Sequence, residues 1–397
     1  MSTKFFLPLV FCLILFEGCQ RKNPENDPVI KIRFERANTI DMGQFIESVH
    51  YVQLQNHPES AFTDVDKLLV NGENLFMLDK RLEAVFCFDT SGRFRYRIQR
   101  VGKGPGEYQE LDAMWLKPVE KELWLQSFWP PKIMVYNFDG RMLREFPIRW
   151  SARDMVNIGD NLIAGYNTSR SNDGADSLRE GIFLLGNEGK SKGQAKILGD
   201  SSIYWSVANQ RNLEEFGNGA LLLSQSDTIF QINEKGKVTP DVLLDWDKLN
   251  FPQELRVIGY NSPRSREVLE GKYIVGKDQL IAFGPARLFR IFRDGHMEIA
   301  FADLRARKGI FSSQITSQVA KIPLLYPLAK TNQGQLIGLY DISLLLAMKE
   351  LSENRLKDLK TEVLYHELDS LVESALTQDR PVLWIAKIKN EWLTKLD

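Results

Sequence analysis

Cysteine is scarce in this sequence, with 3 residues among 397. Cys12 lies in an apolar N-terminal segment and Cys19 follows that segment, so Cys87 is the one thiol in the rest of the chain. One thiol cannot form an intramolecular disulfide, and the folded protein must therefore depend on its hydrophobic core. Cys87 stands in the run VFCFD, where burial among phenylalanines would keep the thiol protonated and unreactive.

Histidine is equally rare, and the 4 histidines are scattered without any His-x-x-x-His pair. Zinc sites use closely spaced histidine and cysteine ligands, so this pattern argues against one. Residues 172–176 (NDGAD) offer oxygen ligands, but they lack the spacing and the terminal glutamate of a calcium loop. We therefore expect no metal and no cofactor.

Neither sign of charge dominates, since 51 lysines and arginines stand against 52 aspartates and glutamates. Proteins that bind nucleic acids or acidic membrane surfaces through bulk charge carry a surplus of basic residues. We therefore expect no nucleic-acid partner, and any membrane contact has to come from another feature of the chain.

No apolar run is long enough for a membrane-spanning helix, and the N-terminal run covers only residues 5–16. This run predicts a signal peptide over residues 1–18. The pair Gly18-Cys19 resembles a bacterial lipobox, in which cleavage precedes a cysteine that is then acylated. The two residues before Gly18 depart from the usual leucine and small residue, so a plain signal peptide cut elsewhere is the alternative.

Acylation of Cys19 would anchor the protein to a membrane through lipid, and stable anchoring needs more than one acyl chain. The residues that follow, 19–28, are polar and include two prolines, which is typical of a tether. The predicted location is the cell envelope, at the outer membrane, with the periplasmic and surface faces both open.

An internal repeat organises the rest of the chain. Residues 85–98 read as two strands with alternating side chains around a tight turn. The unit recurs with its turn glycine about 48 residues further on each time, and once after a wider gap. These glycines are Gly92, Gly140, Gly189, Gly236 and Gly295. A period of this length is typical of one four-stranded blade of a β-propeller.

Six apolar segments align as the second strand of each unit. They are residues 74–79, 122–127, 161–166, 220–225, 279–284 and 335–340. The sequence therefore predicts an all-β fold, a six-bladed β-propeller of four-stranded antiparallel blades over residues 29–397. Residues 169–177 read as a polar loop, and an insertion at 247–266 would explain the wider gap.

The sixth unit is interrupted after Asp341 and resumes at Pro381, which leaves its fourth strand to be supplied from elsewhere. Residues 29–34 or 50–54, both before the first unit, could supply it and so close the ring. The interruption, 343–376, repeats leucines at helical spacing. We expect one or two helices lying against the propeller, with binding of a protein partner as a second role.

The string GKGPGEY follows the first repeat unit and occurs once. Its glycines invite comparison with a phosphate-binding loop, but the proline removes a donor and the spacing does not fit. We expect a fixed crossover between two blades, in which the glutamate and tyrosine bind neighbouring backbone. The residues concerned are Gly102, Gly104, Pro105, Gly106, Glu107 and Tyr108.

Two aromatic pairs on predicted loops are the best indication of ligand binding. Phe128 and Trp129 join two strands of the second unit, and Tyr204 and Trp205 open the fourth. Each pair could present a flat apolar surface to a glycan ring or a peptide, although large rings also pack between blades in most propellers.

Six such units, a lipobox-like start and the GKGPGEY string together make the chain similar to the six-bladed β-propeller lipoproteins abundant in Bacteroidetes. The resemblance covers residues 29–390, and the departures are modest: the third unit has Asn187-Glu188-Gly189 in place of an Asp-Gly turn, and the residues after Cys19 lack an acidic surface-export run. It implies architecture and compartment, because that family has no generally assigned activity.

We therefore expect a non-catalytic binding or scaffolding module at the cell envelope. A glycan hydrolase or lyase is the first alternative, since acidic pairs could meet at the mouth of a channel. The pairs are Asp64 and Asp66, Glu214 and Glu215, and Asp245 and Asp247. A subunit of an envelope protein complex, docking through the helices, is the second alternative.

Overall fold

A computed structural model describes residues 29–394 of the chain. It leaves out 149, 151, 153, 160, 168–180, 196–210, 253–254, 256–262, 264–272, 321–323 and 356–362. Over the described residues the fold is all-β, built from four-stranded antiparallel sheets with two helices near the C-terminus. The predicted signal peptide, Cys19, the tether and the polar loop at 169–177 lie outside the described residues.

The strands and helices follow one another along the chain in a regular order. The N-terminal strands are β1 (Ile30–Arg36), β2 (Ile40–Asp41) and β3 (Ile46–Gln53). The first three sheets use β4 (Lys67–Asn71), β5 (Asn74–Asp79), β6 (Ala84–Asp89), β7 (Phe94–Ile98), β8 (Glu110–Lys117), β9 (Glu122–Trp129), β10 (Lys132–Asn137), β11 (Met142–Pro147), β12 (Asp154–Ile158), β13 (Leu162–Asn167), β14 (Gly181–Gly186) and β15 (Ser191–Ala195).

The second half repeats the pattern and adds the helices. Its elements are β16 (Leu213–Phe216), β17 (Gly219–Leu223), β18 (Thr228–Ile232), β19 (Val238–Asp245), β20 (Gly276–Phe283), β21 (Ala286–Arg293), β22 (His296–Asp303), β23 (Lys308–Ser312), β24 (Ile315–Thr316), β25 (Ala329–Lys330), β26 (Gln335–Tyr340), α1 (Ile342–Arg355), α2 (Val363–Gln378) and β27 (Val382–Ile388).

Six antiparallel sheet units result, numbered here in chain order. Units 1 to 3 are β4 to β7, β8 to β11 and β12 to β15, and units 4 and 5 are β16 to β19 and β20 to β23. Unit 6 is ordered β25, β26, β27, β3. In unit 1 the middle strand β6 is buried along its whole length, whereas the outer strand β7 alternates between covered and exposed side chains. Apolar runs therefore form the middle strands, and alternating runs form the outer ones.

The N-terminal strands complete sheets that begin far away in sequence. β3 pairs antiparallel with β27, with His50 opposite Ile385, which confirms residues 50–54 as the source of the missing fourth strand. Residues 29–34 have a different role. They contribute to β1, which pairs parallel with both β19 and β23. β1 thereby joins the outer edges of units 4 and 5 into one nine-stranded sheet.

The prediction for unit 5 was wrong by one strand. The apolar segment at 279–284 belongs to β20, which is the first strand of its sheet, and Gly295 lies in the turn between the second and third strands. The turn between the third and fourth strands is at residues 304–307 instead. Each of the first two strands contains several buried apolar residues, so the hydrophobic pattern alone does not tell them apart.

The units pack side by side in sequence order. The first strands of units 1 to 5 contact one another in succession, and β25 of unit 6 contacts β4 of unit 1. Turn glycines contact side chains of the preceding unit. A Cβ on Gly140 of unit 2 would lie 2.7 Å from the ring of Tyr96 in unit 1. A Cβ on Gly236 of unit 4 would lie 2.2 Å from Leu184 in unit 3. Gly92 closes the series, because it lies against the backbone of Gln53 in unit 6.

The two helices lie between β26 and β27 in the chain and pack on unit 6. Leu345 of α1 and Val372 and Ala375 of α2 are buried in one hydrophobic cluster with Tyr340 and Trp384 of that unit. These side chains therefore attach both helices to unit 6. Among the described residues, neither the length nor the hydropathy of any helix is sufficient for it to cross a membrane.

Gly92→Ala should destabilise the protein more than Gly295→Ala. Both glycines have positive φ, so alanine at either position should cost about 1 kcal/mol of unfolding free energy. A Cβ at Gly92 would also stand 2.2 Å from the carbonyl oxygen of Gln53, whereas Gly295 has nothing within 4 Å. That overlap should add about 2 kcal/mol, measured by urea unfolding. Equal losses for the two variants would show that the contact between units 1 and 6 does not contribute.

Candidate functional site

Six charged residues meet where the first strands of the units converge, and we call them the inner charge cluster. Lys67 begins β4, Asp154 begins β12, and Lys330 ends β25. The cluster consists of Lys67, Asp154, Arg211, Glu214, Glu215 and Lys330, and all except Asp154 line one cavity. Because each sheet presents its first strand to its neighbours, residues from four different units come together at this point.

An ion pair between Lys67 and Asp154 joins units 1 and 3. Lys67 Nζ lies 2.7 Å from Asp154 Oδ1 and also donates to the carbonyl oxygen of Met155 at 3.1 Å. The other carboxylate oxygen of Asp154 accepts the backbone N–H of Leu213 in unit 4 at 2.7 Å. The two charged side chains are 9% and 2% exposed, so the pair is shielded from solvent and the strands on either side are held in one arrangement.

A second group of ion pairs joins units 4 and 6. Glu214 lies 2.7 Å from Arg211 Nη2 and 3.8 Å from Lys330 Nζ. Arg211 also donates to the carbonyl oxygen of Leu328, and Lys330 donates to that of Ala282 at 2.6 Å. Burial lowers the pKa of Lys330, and the negative charge of Glu214 opposes that effect.

Glu215 differs from the other carboxylates of the inner charge cluster. Adjacent residues of a strand point to opposite sides, and Glu215 is exposed at the cavity whereas Glu214 is buried in its ion pairs. Removal from bulk water and the nearby charge of Glu214 raise the pKa of Glu215 to about 7, although Lys67 and Lys330 act in the opposite direction. The protonated form of this carboxyl group is therefore favoured relative to that of an ordinary glutamate.

The cavity beside Glu215 has a volume of about 60 Å³. That is room for about four water molecules, or for one small polar group of a larger ligand. Asn71, Pro118 and Asn332 line it together with the charged side chains. Within the described ranges, no cluster of three or more histidine, cysteine, aspartate or glutamate residues could hold a metal ion. Residues 172–176, which were not expected to hold a metal, lie outside those ranges.

The other two acidic pairs do not meet in this cavity. Asp66 accepts the backbone N–H of Lys80 at 2.8 Å in the approach to β4. Asp245 forms an ion pair with Lys31 of β1 at 2.9 Å, and Asp247 accepts a contact from Arg33 at 3.4 Å. Asp245 and Asp247 therefore stabilise the junction between β1 and β19.

The GKGPGEY string forms the connection from β7 of unit 1 to β8 of unit 2. Gly102 donates its N–H to the carbonyl oxygen of Tyr108 at 2.8 Å, and Gly104 donates to Glu107 Oε2 at 2.8 Å. Tyr108 is fully buried, and its hydroxyl donates to the carbonyl oxygen of Glu83 at 2.9 Å. The N–H of Gly106 lies 3.2 Å from both carboxylate oxygens of Glu145. The glycine N–H groups are thus used inside the protein.

The predicted aromatic platform is exposed at the turn between β9 and β10. Phe128 is 38% and Trp129 58% exposed. Together they place a large apolar surface in contact with solvent. This turn lies apart from the inner charge cluster, whose cavity has neither residue in its lining. The other predicted pair, Tyr204 and Trp205, lies outside the described residues.

Two nucleophile motifs have no catalytic surroundings. Cys87 is fully buried, and burial raises the pKa of its thiol to about 11, so it stays protonated at neutral pH. Residues 189–193 (GKSKG) match the Gly-x-Ser-x-Gly pattern, which places serine at a sharp turn from a strand into a helix. Here they form the turn from β14 into the outer strand β15, so that context is missing.

Sequence reasoning placed Glu214 and Glu215 among its acidic pairs but missed the basic residues and Asp154. The sequence nevertheless contains one pattern that could have identified these residues. Lys67, Asp154 and Lys330 are charged residues at the ends of short first strands whose other residues are mostly apolar. Charge at that position in several repeats predicts a polar centre, because the first strands face one another.

Tyr108→Phe should lower the free energy of unfolding by about 1–2 kcal/mol, because a buried carbonyl oxygen would lose its donor. Tyr136→Phe is the matched control from the same hydrophobic cluster. The hydroxyl of Tyr136 is buried and has no hydrogen-bond partner among the described residues, so its removal should be neutral or stabilising. Thermal unfolding of both variants measures the difference, and an equal loss would contradict this role of Tyr108.

Glu215→Gln should raise the melting temperature more at pH 8 than at pH 5. A folded pKa of about 7 lies above the ordinary value of 4.5, so the folded protein is favoured by protonation and loses stability as the pH rises toward 7. Glutamine is uncharged at both pH values, so Glu215→Gln avoids that loss. The variant's rise in melting temperature should therefore be about 2 °C larger at pH 8 than at pH 5. Glu188→Gln, in an exposed ion pair with Lys190, is the control and should show no such difference.

The solved structure of a candidate exported protein of Bacteroides fragilis resembles this fold over most of the chain. The TM-score is 0.72 at 15% identity, covering 91% of this chain and 100% of the other, so the likeness is one of fold. The propeller domain of Cps50 (Swd1) from Myceliophthora thermophila matches at TM-score 0.36 and 10% identity, over 60% of this chain and 64% of its own.

BamB from Moraxella catarrhalis gives TM-score 0.40 at 9% identity, covering 74% of this chain and 75% of the other. No curated protein matches the sequence. The family described as a domain of unknown function (DUF4934) matches residues 27–387, which is almost the whole chain. The chain therefore belongs to the DUF4934 family.

Proposed function

We propose that this protein is an exported, lipid-anchored six-bladed β-propeller of the cell envelope, which binds a ligand in its axial channel without catalysing a reaction. The six sheet units are the six blades, and α1 and α2 are a helical insertion in the last blade. Contacts between successive first strands, and between Gly92 of unit 1 and Gln53 of unit 6, support a closed ring. The inner charge cluster then lies on the propeller axis.

The observation that carries the non-catalytic assignment is the pairing of the carboxylates at this centre. Glycoside hydrolysis needs one carboxyl group as acid and a second carboxylate as base or nucleophile, both accessible to the substrate. Asp154 and Glu214 are each buried in ion pairs with basic residues of the cluster. Glu214 and Glu215 both line the cavity, but of the three carboxylates only Glu215 is exposed, which suits recognition of a ligand better than two-carboxylate chemistry.

A glycan ligand is supported by the exposed pair Phe128 and Trp129. Aromatic faces bind the apolar faces of sugar rings, and this turn offers such a face outside the channel. Binding there would be a second mode, independent of the inner charge cluster.

Ligand binding is tested by thermal-shift screening of the mature protein against glycans and peptides. A saturating ligand at about a hundred times its dissociation constant stabilises by about 2.7 kcal/mol. The shift should disappear in Lys330→Gln and persist in Trp129→Ala if the ligand occupies the channel, and the reverse would assign it to the aromatic platform. Conversion of any hit to product would overturn the non-catalytic assignment.

The lipid anchor has its own test. Cys19→Ser should move the protein from the membrane fraction to the soluble envelope fraction, because the acyl chains attach to this residue. Cys12→Ser is the matched control, since Cys12 would be removed with the signal peptide. A membrane-bound Cys19→Ser protein would contradict lipid anchoring at this position.

A further inference from the structure

The net charge of the inner charge cluster depends on whether Glu215 is protonated. Its basic members are Lys67, Arg211 and Lys330, and its acidic members besides Glu215 are Asp154 and Glu214. With Glu215 ionised, three positive charges face three negative ones and the cluster is neutral. With Glu215 protonated, one positive charge is left over, and the cavity becomes attractive to an anion.

Two lysines at this cavity each have an N–H group that makes no hydrogen bond among the described residues. Lys67 Nζ donates to Asp154 and to Met155, so two of its three N–H groups are used. Lys330 Nζ donates one hydrogen bond, to Ala282, and its 3.8 Å contact with Glu214 is too long for a second. No other acceptor for these two ammonium groups is found within the described part of the chain.

The cavity admits a carboxylate group more readily than a whole molecule. Its volume of about 60 Å³ matches a group of a few heavy atoms. Asn71 and Asn332 also line the cavity, so their amides could bind the hydroxyl or amide groups of the remaining ligand. A cation in this cavity would instead be repelled by the ammonium groups of Lys67 and Lys330.

We propose that this cavity binds the carboxylate group of a small anionic ligand between Lys67 and Lys330, with Glu215 protonated and donating a hydrogen bond to the bound carboxylate. The inference rests on the proposed binding function of the axial channel and adds the chemical class of the ligand. One proton is taken up from solvent by the ionised fraction of Glu215, so the complex of the cluster with the bound carboxylate has a net charge of zero.

The groups that face Glu215 act in both directions on its protonation. Glu214 on the same strand raises its pKa, while Lys67 of unit 1, Lys330 of unit 6 and the backbone N–H of Asn157 in unit 3 lower it. Burial has the largest effect, and the pKa is about 7. A bound carboxylate would raise it further, because it adds a negative charge beside the carboxyl group.

The test is titration calorimetry of the mature protein with D-glucuronate at pH 6 and pH 8. D-glucose is the matched probe, because it keeps the ring and lacks the carboxylate. The dissociation constant for glucuronate should rise about tenfold from pH 6 to pH 8, as the protonated fraction of Glu215 falls from about 0.9 to about 0.1. Glucose should bind at least tenfold more weakly than glucuronate at pH 6.

Three variants separate the parts of the proposal. Glu215→Gln keeps a donor without a charge, so its affinity at pH 8 should equal that at pH 6. Lys330→Gln should lose glucuronate binding while still folding, because Arg211 continues to pair with Glu214 at 2.7 Å. Glu188→Gln, at an exposed turn, should behave as the unmodified protein does.

Glucuronate affinity that is the same at both pH values, or that survives in Lys330→Gln, would overturn the inference. So would glucose binding as tightly as glucuronate, or no glucuronate binding at all. In each case the proposed function stands if the screened ligand still loses its thermal shift in Lys330→Gln. The proposed function fails separately if no ligand depends on Lys330.

Discussion

The exposed edges of β-sheets constrain this fold more than any other feature. No described strand after β27 covers its edge, and β3 pairs with it from more than three hundred residues earlier. β1 does the same for two edges at once, by pairing with β19 and with β23. Unpaired strand edges are templates for association with other chains, so pairing them internally also reduces such association.

The same N-terminal segment therefore decides how three sheet units are held. Residues 30–53 contribute a shared strand to units 4 and 5 and the outer strand of unit 6. The turn glycine of unit 1 lies on the end of β3, so unit 1 packs on a surface that β3 creates. Correct packing of units 1, 4, 5 and 6 thus depends on strands made first in the chain.

At the centre the constraint is electrostatic. Charged groups away from bulk water are stable when each has a partner, and removing one partner of a buried pair typically costs about 3–5 kcal/mol. The ion pair of Lys67 with Asp154 joins units 1 and 3, and Glu214 joins units 4 and 6 through Arg211 and Lys330. These pairs hold the cavity in one shape and leave Glu215 as the group that can respond to a ligand or to pH.

Local pattern alone predicted most of the strands. The alternation in residues 85–98, the apolar second strands and the helical spacing near residues 343–376 all correspond to elements of the structure. The error in unit 5 has a local cause as well. β20 and β21 both contain several buried apolar residues, and no feature of the segment at 279–284 shows which neighbours it has.

The sequence by itself determined the strand-rich repeat, the position of the helices and the presence of one buried thiol, because these follow from hydrophobic periodicity and from residue counts. Only the tertiary structure decided that residues 50–54 and not 29–34 close unit 6, since both segments are equally apolar. It also decided which charged residues form the inner charge cluster. Lys67, Asp154 and Lys330 stand far apart in sequence, and their meeting depends on how four sheets converge, a property that no local pattern contains.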